Sequence, residues 1–243
     1  MDIGVPFKML GEVDVTALAA HAEALPEAAW TANAFRQEVL ADGVHSVTKA
    51  ILFRHEWDRW RNPWRMVEIS ELIEKWAAKT GRDPKPFMPV AKEETDIGPV
   101  YTFPEWPAFA AVVQPVVDQV LAGMSYPKPV VTRLALVRLE PGGHIAPHVD
   151  GQPMAYKAHR IHIPLSNSEG VEYKIDGKKF KMRKGRFYDF NNRKRHSVRN
   201  LSQRPRVNLF VDVYPSTGLH VPPPFGYYSS GALASLPPGP GKG

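Results

Sequence analysis

The hydrophobic rhythm of the chain changes near residue 130. Upstream, apolar residues recur at helical spacing in separate blocks. "VDVTALAAHAEAL" follows the candidate N-caps Asp14 and Thr16, and "SELIEKWAAKTG" (70–81) sets Leu72, Ile73, Trp76 and Ala77 between a Ser cap and Gly81. "EWPAFAAVVQPVVDQVLAG" (105–123) reads as a longer helix, kinked near Pro115 and closed by Gly123. "SVTKAILFRH" (46–55) breaks this pattern as a β-branched strand, and the Pro- and charge-rich stretch 82–104 reads as a loop. Downstream, short β-rich runs follow one another: "VTRLALVRL", "RIHIPL", "VEYKI", "KKFKM", "GRFYDF", "HSVRN" and "RVNLFVDVY", with an Asp-Gly hairpin signal in "IDGKK". This texture predicts a mainly β protein with supporting helices. A double-sheet jelly roll (131–215) carries an N-terminal helix and strand extension (1–130), and a Pro/Gly-rich arm (216–243) ends the chain, all as one integrated domain.

Alternation within the strands separates two faces. In "RVNLFVDV", Val207, Leu209, Val211 and Val213 fall on one side, and Arg206, Asn208, Phe210 and Asp212 on the other. In "RIHIPL", Ile161, Ile163 and Leu165 oppose Arg160 and His162. A sheet with one solvated face gives the same pattern. Arginine and histidine, rather than the Lys, Glu and Thr of an ordinary wet face, favour a lined cavity instead.

Composition narrows the setting. The 243 residues are 43% hydrophobic, which suffices for a real core, and the chain has no cysteine. Disulfides, thiolate zinc sites and cysteine nucleophiles are therefore excluded, and a reducing, cytoplasmic setting is expected. "MDIGVPFKMLGEVDV" lacks the form of a signal peptide, and no run approaches the roughly 18 apolar residues of a membrane span. The net charge of +6 is concentrated in "KIDGKKFKMRKGRF" and "NNRKRHSVRN". These runs read as solvated hairpin ends before they read as a nucleic-acid surface. Trp57, Trp60 and Trp64 mark a basic-aromatic segment that is either a substrate-facing flap or a packing clamp.

"GHIAPHVDG" (143–151) holds the candidate chemistry. His148 and Asp150, two apart on extended chain, point the same way, and His196 in a later strand can close a triangle with them. Two imidazoles and one carboxylate on one face of a metal leave open positions and suit non-heme Fe(II). Read blandly, the histidines are surface or core residues and Asp150 is a turn residue before Gly151. Against that stands the whole set of His148, Asp150, His196 and then Arg206 within one run of short strands. His144 has no partner spacing of its own and reads as structural, and His159 alternates to the outside.

The segment "PGGHIAPHVDG…RIHIPL…VEYKIDG…MRKGRFYDFNN…HSVRNLS…RVNLFVDV", spanning about 131–214, resembles the aspartyl/asparaginyl β-hydroxylase branch of the Fe(II)/2-oxoglutarate-dependent dioxygenases. The resemblance implies a double-stranded β-helix of cupin-like form. It implies His148, Asp150 and His196 as iron ligands, Arg206 as the partner of the distal carboxylate of 2-oxoglutarate, and O2 as co-reactant. Arg160 and His162 match an Arg-x-His pair near cosubstrate or substrate; His162 is assigned to the cosubstrate and Arg160 to a substrate carboxylate or phosphate. Asp150 brings the chain closer to the proline-hydroxylase type, since some members lack that ligand. Arg186 stands where relatives often carry an acid. The implied activity is hydroxylation of an unactivated C–H in an amino acid, peptidyl residue or related small molecule, with no nucleic-acid or membrane partner. Two rivals remain: a cupin-like module that binds an anionic ligand or nucleic acid without turnover, and a jelly roll with another metal doing isomerase or hydrolase chemistry.

Overall fold

A computed structural model describes residues 1–32, 43–56, 74, 77–78, 81, 83, 100–151, 154–167, 169–216 and 225–226. The Trp57/Trp60/Trp64 segment and most of the C-terminal arm lie outside these residues, and the helix expected over 70–81 is described only at Glu74, Ala77 and Ala78, which are helical.

In chain order the elements are β1 (Phe7–Glu12), α1 (Thr16–Ala24), α2 (Glu27–Thr31), a 3-10 turn (Gly43–His45), β2 (Thr48–Glu56), β3 (Val100–Thr102), α3 (Trp106–Met124), β4 (Val130–Leu139) and β5 (His144–His148). There follow α4 (Met154–Lys157), β6 (His159–Pro164), β7 (Val171–Ile175), β8 (Lys178–Phe180), β9 (Arg186–Phe190), β10 (His196–Asn200), β11 (Arg206–Tyr214) and β12 (Phe225–Gly226). They form an 8-stranded sheet, β1-β9-β6-β11-β4-β2-β3-β12, and a 4-stranded sheet, β5-β10-β7-β8. Pairing is antiparallel except between β3 and β12. The result is the expected jelly roll, broadened by strands from the N-terminal half.

The large sheet is covered on both sides. One face presents Leu134, Leu136, Ile161, Ile163, Leu209 and Val211 to Leu18 of α1 and to Phe109, Val113, Val117 and Val120 of α3. Burial of each such side chain contributes about 1.5–3 kcal/mol, which is why the helices belong to the fold. The other face meets the small sheet, where Leu139, Ile145, Val171, Tyr173, Ile175, Phe190 and Val198 make a second apolar cluster. Polar side chains between the two sheets are therefore enclosed, and the site lies there.

Several local expectations change. Helix α3 runs through Gly123 to Met124 and is closed by Ser125 in a left-handed conformation, φ 56°. A Cβ at Gly123 would stand 2.7 Å from the Phe187 ring, so close packing explains this glycine. α3 is also long and apolar enough to pass as a membrane span, a run the sequence reading did not register, but Phe109, Val113 and Val117 pack in the core. Asp14 precedes the N-cap residue Val15, and its carboxylate accepts the Thr16 amide at 2.9 Å. Of the stretch 82–104 read as a loop, Val100–Thr102 form the strand β3, and 82 and 84–99 lie outside the described residues. The "IDGKK" turn forms as read, with Asp176 at φ 50° and Gly177 at φ 79°.

Candidate active site

β5 and β10 are neighbours in the small sheet, and their register sets His196 opposite His148. The two rings are 4.2 Å apart. Asp150 follows β5, 3% exposed, with its amide donating to the Asn192 carbonyl at 3.1 Å. Its Oδ1 lies 3.4 Å from His148 Nε2 and 3.9 Å from His196 Nε2. Each imidazole is oriented from behind: His148 Nδ1 is 2.8 Å from the Ala146 carbonyl, and His196 Nδ1 is 2.9 Å from the Lys194 carbonyl. A carbonyl only accepts, so each Nδ1 carries a proton, and Nε2 is in each ring the nitrogen turned toward Asp150. His148 Nε2 is buried with no hydrogen-bond partner among the described residues. Two imidazole nitrogens and a carboxylate oxygen held close together by oriented side chains make the donor set that a divalent metal takes once His148 Nε2 has shed its proton, and the residues fit one.

The electrostatics agree. Burial opposes ionisation of Asp150, but the Arg160 guanidinium outweighs it and holds the carboxyl well below its usual range. Burial likewise pushes His196 down to about 4, so this imidazole is neutral near pH 7. For His148, burial is outweighed by Asp150 and the Ala146 carbonyl, and the pKa rises.

Arg160 is engaged elsewhere than the sequence reading expected. Its Nε donates to Asp212 Oδ1 at 2.9 Å and one terminal nitrogen to Asp212 Oδ2 at 2.7 Å; the other terminal nitrogen donates to Asp150 Oδ2. All three nitrogens serve carboxylates of this chain, so Arg160 positions Asp150 rather than holding a substrate anion. With Asn192 also donating to Oδ2 at 3.3 Å, Asp150 Oδ1 alone is turned to the imidazoles.

Arg206, on β11, is 2% exposed. Its Nε donates to the Tyr173 hydroxyl at 2.9 Å, while both terminal nitrogens are buried without partners among the described residues. A planar fork held from behind, its two outer nitrogens empty, is the complement of a carboxylate. His162 is stacked between Phe190 at 4.4 Å and Phe210 at 4.2 Å, and neither ring nitrogen has a partner among the described residues. Burial, then Arg206 and Arg160, hold its pKa well below the usual value, so it is a neutral donor and acceptor. His148, Asp150, His162, His196 and Arg206 line one cavity.

His45 was not anticipated. It comes from the 3-10 turn before β2, packs edge-on to His148 at 4.8 Å, and forms with His148 and Asp150 a group whose ligand atoms lie within 4.8 Å of one another. We favour His196 over His45 as the second imidazole, because His196 is fixed by strand register and by its Nδ1 carbonyl contact. "NNRKRH" supplies more than a solvated run: Arg193 donates to the Asp150 carbonyl and stacks on Tyr156 at 3.5 Å. His159 is not on the outside. It is half-buried between the Tyr126 hydroxyl at 2.7 Å and Asp189 at 2.6 Å. His144 pairs across to Arg199 and does not line the cavity, and Arg186 bonds Glu12 at 2.8 Å.

Residues 105–215 match the aspartyl/asparaginyl β-hydroxylase family. A search of curated proteins found no match. Among solved structures, the chain is similar to a 2OG-Fe(II) oxygenase-family oxidoreductase from Burkholderia pseudomallei at 15% identity, covering 79% of this chain and 93% of that one, TM-score 0.40. It is also similar to the viral collagen prolyl hydroxylase of Paramecium bursaria Chlorella virus-1 at 15% identity, covering 48% and 77%, TM-score 0.37. A cupin domain of an XRE-family transcriptional regulator from Enterobacter cloacae aligns at 21% identity over 37% of this chain and 95% of that one, TM-score 0.29.

Proposed function

We propose that the chain, whose residues 105–215 match the aspartyl/asparaginyl β-hydroxylase family, is an Fe(II)- and 2-oxoglutarate-dependent enzyme that hydroxylates an unactivated C–H bond of an amino acid, a peptidyl residue or a related small molecule. One observation carries this reading. Three oriented donor atoms, His148 Nε2, His196 Nε2 and Asp150 Oδ1, share a cavity with a buried arginine fork whose outer nitrogens are unpaired among the described residues. The first feature suits a ferrous ion, and the second suits the far carboxylate of 2-oxoglutarate.

When bound there, iron with 2-oxoglutarate and O2 supplies the oxidising power, the cosubstrate ending as succinate and CO2 and the substrate gaining a hydroxyl. The chain contributes position and environment. His196 presents a neutral nitrogen, His148 would give up its Nε2 proton to a metal, and Arg160 and Asn192 hold Asp150 Oδ2 so that Oδ1 stays turned to the two imidazoles. Arg206, steadied by Tyr173, would pair with the far carboxylate of the cosubstrate. His162 donates or accepts beside it without adding charge. Ile145, Val198, Phe190 and Phe210 form apolar walls that limit water.

The test is Fe(II)-dependent succinate release from 2-oxoglutarate, paired with metal binding. Arg206→Ala loses charge-assisted hydrogen bonds worth about 1.5–3 kcal/mol each, so half-saturation by 2-oxoglutarate should rise at least tenfold while metal binding is kept. A variant that loses iron yet binds cosubstrate normally defeats the assignment. His148→Ala and Asp150→Ala should abolish turnover.

A further inference from the structure

Asp150 stands just past the point where the β-ladder stops holding the chain. The last register pair of β5 is His148 with His196, and the residue after Asp150 is the exposed Gly151, with open space where a Cβ would be. Neither a ladder bond nor a following side chain fixes that peptide unit. Metal–ligand distances hold to about 0.2 Å, so the backbone torsions of Asp150 matter to the site as much as its side-chain rotamer. Its amide is held by the Asn192 carbonyl, and its Oδ2 by Arg160 and Asn192. The carbonyl is left, and a terminal nitrogen of Arg193 donates to it.

The loop that carries Arg193 is tied down at its start. The Asn191 amide donates to the Pro6 carbonyl at 3.0 Å, its side-chain nitrogen donates to Asp2 at 2.7 Å and to the Val5 carbonyl at 2.9 Å, and its side-chain oxygen accepts the Arg193 amide at 3.2 Å. These bonds place the Arg193 backbone but not its guanidinium, which ends a long flexible stem. Tyr156 of α4 supplies the missing restraint, its ring centre 3.5 Å from the guanidinium carbon. Tyr156 is 57% exposed, yet α4 is fastened by Met154 and Ala158 against Val130 and Tyr214. A guanidinium is attracted to an aromatic face, and stacking there removes rotamers that compete with the carbonyl contact. Neither Arg193 nor Tyr156 lines the cavity.

We propose that Arg193 is a positioning residue for the metal centre: it holds the carbonyl of Asp150, Tyr156 holds its guanidinium against α4, and the surface helix and the buried ligand thereby form one mechanical unit. The proposal rests on Asp150 being a metal ligand. Its role differs from that of Arg160, which acts on the Asp150 side chain and sets which oxygen faces the imidazoles. Arg193 sets where the residue itself stands. Tyr156 is then a surface position from which the metal site can be loosened, although it touches neither metal ligand nor cavity.

The experiment titrates Co(II) into the metal-free protein and its variants by visible absorbance, with a urea midpoint for each. Groups that orient a ligand from behind typically carry about 10–100-fold of metal affinity, so Arg193→Ala should bind Co(II) about tenfold more weakly. Its Co(II) bands should move toward those of Asp150→Asn. Arg193→Lys keeps a donor and the charge but not the planar face, and should fall between. Tyr156→Ala should weaken Co(II) about threefold, whereas Tyr156→Phe keeps the ring and should match wild type. The double variant should match Arg193→Ala, because the tyrosine acts only through the arginine. A merely structural role would lower the urea midpoint and leave the bands of bound Co(II) where they are, and that result overturns the proposal. So does wild-type affinity in Arg193→Ala, or a Tyr156→Ala effect that persists undiminished in the Arg193→Ala background. If Arg193→Ala does not fold, the exposed changes Tyr156→Ala and Tyr156→Phe carry the same test. Wild type that takes up no Co(II) would remove the metal reading and this proposal together; wild type that binds it while the variants do so equally well removes this proposal alone.

Discussion

Replacing Arg160 by Met tests whether the site is built around a buried ion network. Arg160 is 9% exposed, and it joins Asp150 and Asp212, whose side chains are 2% and 5% exposed. At about 4 Å and an effective dielectric near 20, each pairing is worth about 4 kcal/mol, so two give about 8 kcal/mol before desolvation. Taking a guanidinium out of water returns several kcal/mol of that, and removal of one partner from such a network should cost about 3–5 kcal/mol. Screening by solvent is minor because all three groups are buried. Arg160→Met leaves two carboxylates with only Arg133 nearby, so Asp212→Asn added to it should recover about 1–2 kcal/mol, a coupling of the size neighbouring charges show. Urea denaturation of the metal-free protein gives midpoint and slope for wild type, both single variants and the double variant. A loss below about 1 kcal/mol in Arg160→Met, or no recovery on removing Asp212, would refute the argument that this arginine neutralises and aims Asp150.

Three further outcomes are expected. Tyr173→Phe removes the acceptor that steadies Arg206 Nε, a net hydrogen bond of about 0.5–1.5 kcal/mol, so 2-oxoglutarate affinity should fall roughly fivefold with metal affinity unchanged, as read by titration. Co(II) binding followed by absorbance should weaken at least a hundredfold in His196→Ala and less than tenfold in His45→Ala; the reverse order would make His45 the ligand. Acid should destabilise the metal-free protein well above the carboxylate range. Burial sets the folded pKa values of His196, about 4, and His55, about 3, below the unfolded value, so stability is intact above about pH 6.5 and is lost as pH falls toward 4. Between pH 7 and 5 the two imidazoles together should remove roughly 4 kcal/mol, with low-lying His162 and raised His148 acting in opposite senses. A urea midpoint that is flat over that range would contradict the burial of both rings.

Much of the fold was legible because strand alternation and hairpin chemistry are local. Val207, Leu209, Val211 and Val213 face the core and Arg206 and Phe210 the cavity, as the two-residue period requires, and Asp176-Gly177 turns where the dipeptide says it should. β1 was invisible: its exposure pattern along Phe7–Glu12 has no clean period, and it is a strand only because β9 offers it an edge. Gly123 read as a helix stop because local rules see a glycine's freedom and not the Phe187 ring it accommodates.

The same division runs through the site. Which residue types are present, and which side of a strand they take, follows from chain order alone, and that was enough to nominate His148, Asp150, His196, Arg206 and the Arg160/His162 pair. Who partners whom depends on strands far apart in sequence coming into register. Arg160 was free to be a substrate clamp until β11 placed Asp212 beside it, and Arg193 belonged to a solvated basic run until the pairing of β5 with β10 brought Asp150 to it. A charge's role is decided by the counter-charge it meets within a few ångströms, and only the tertiary structure sets that distance.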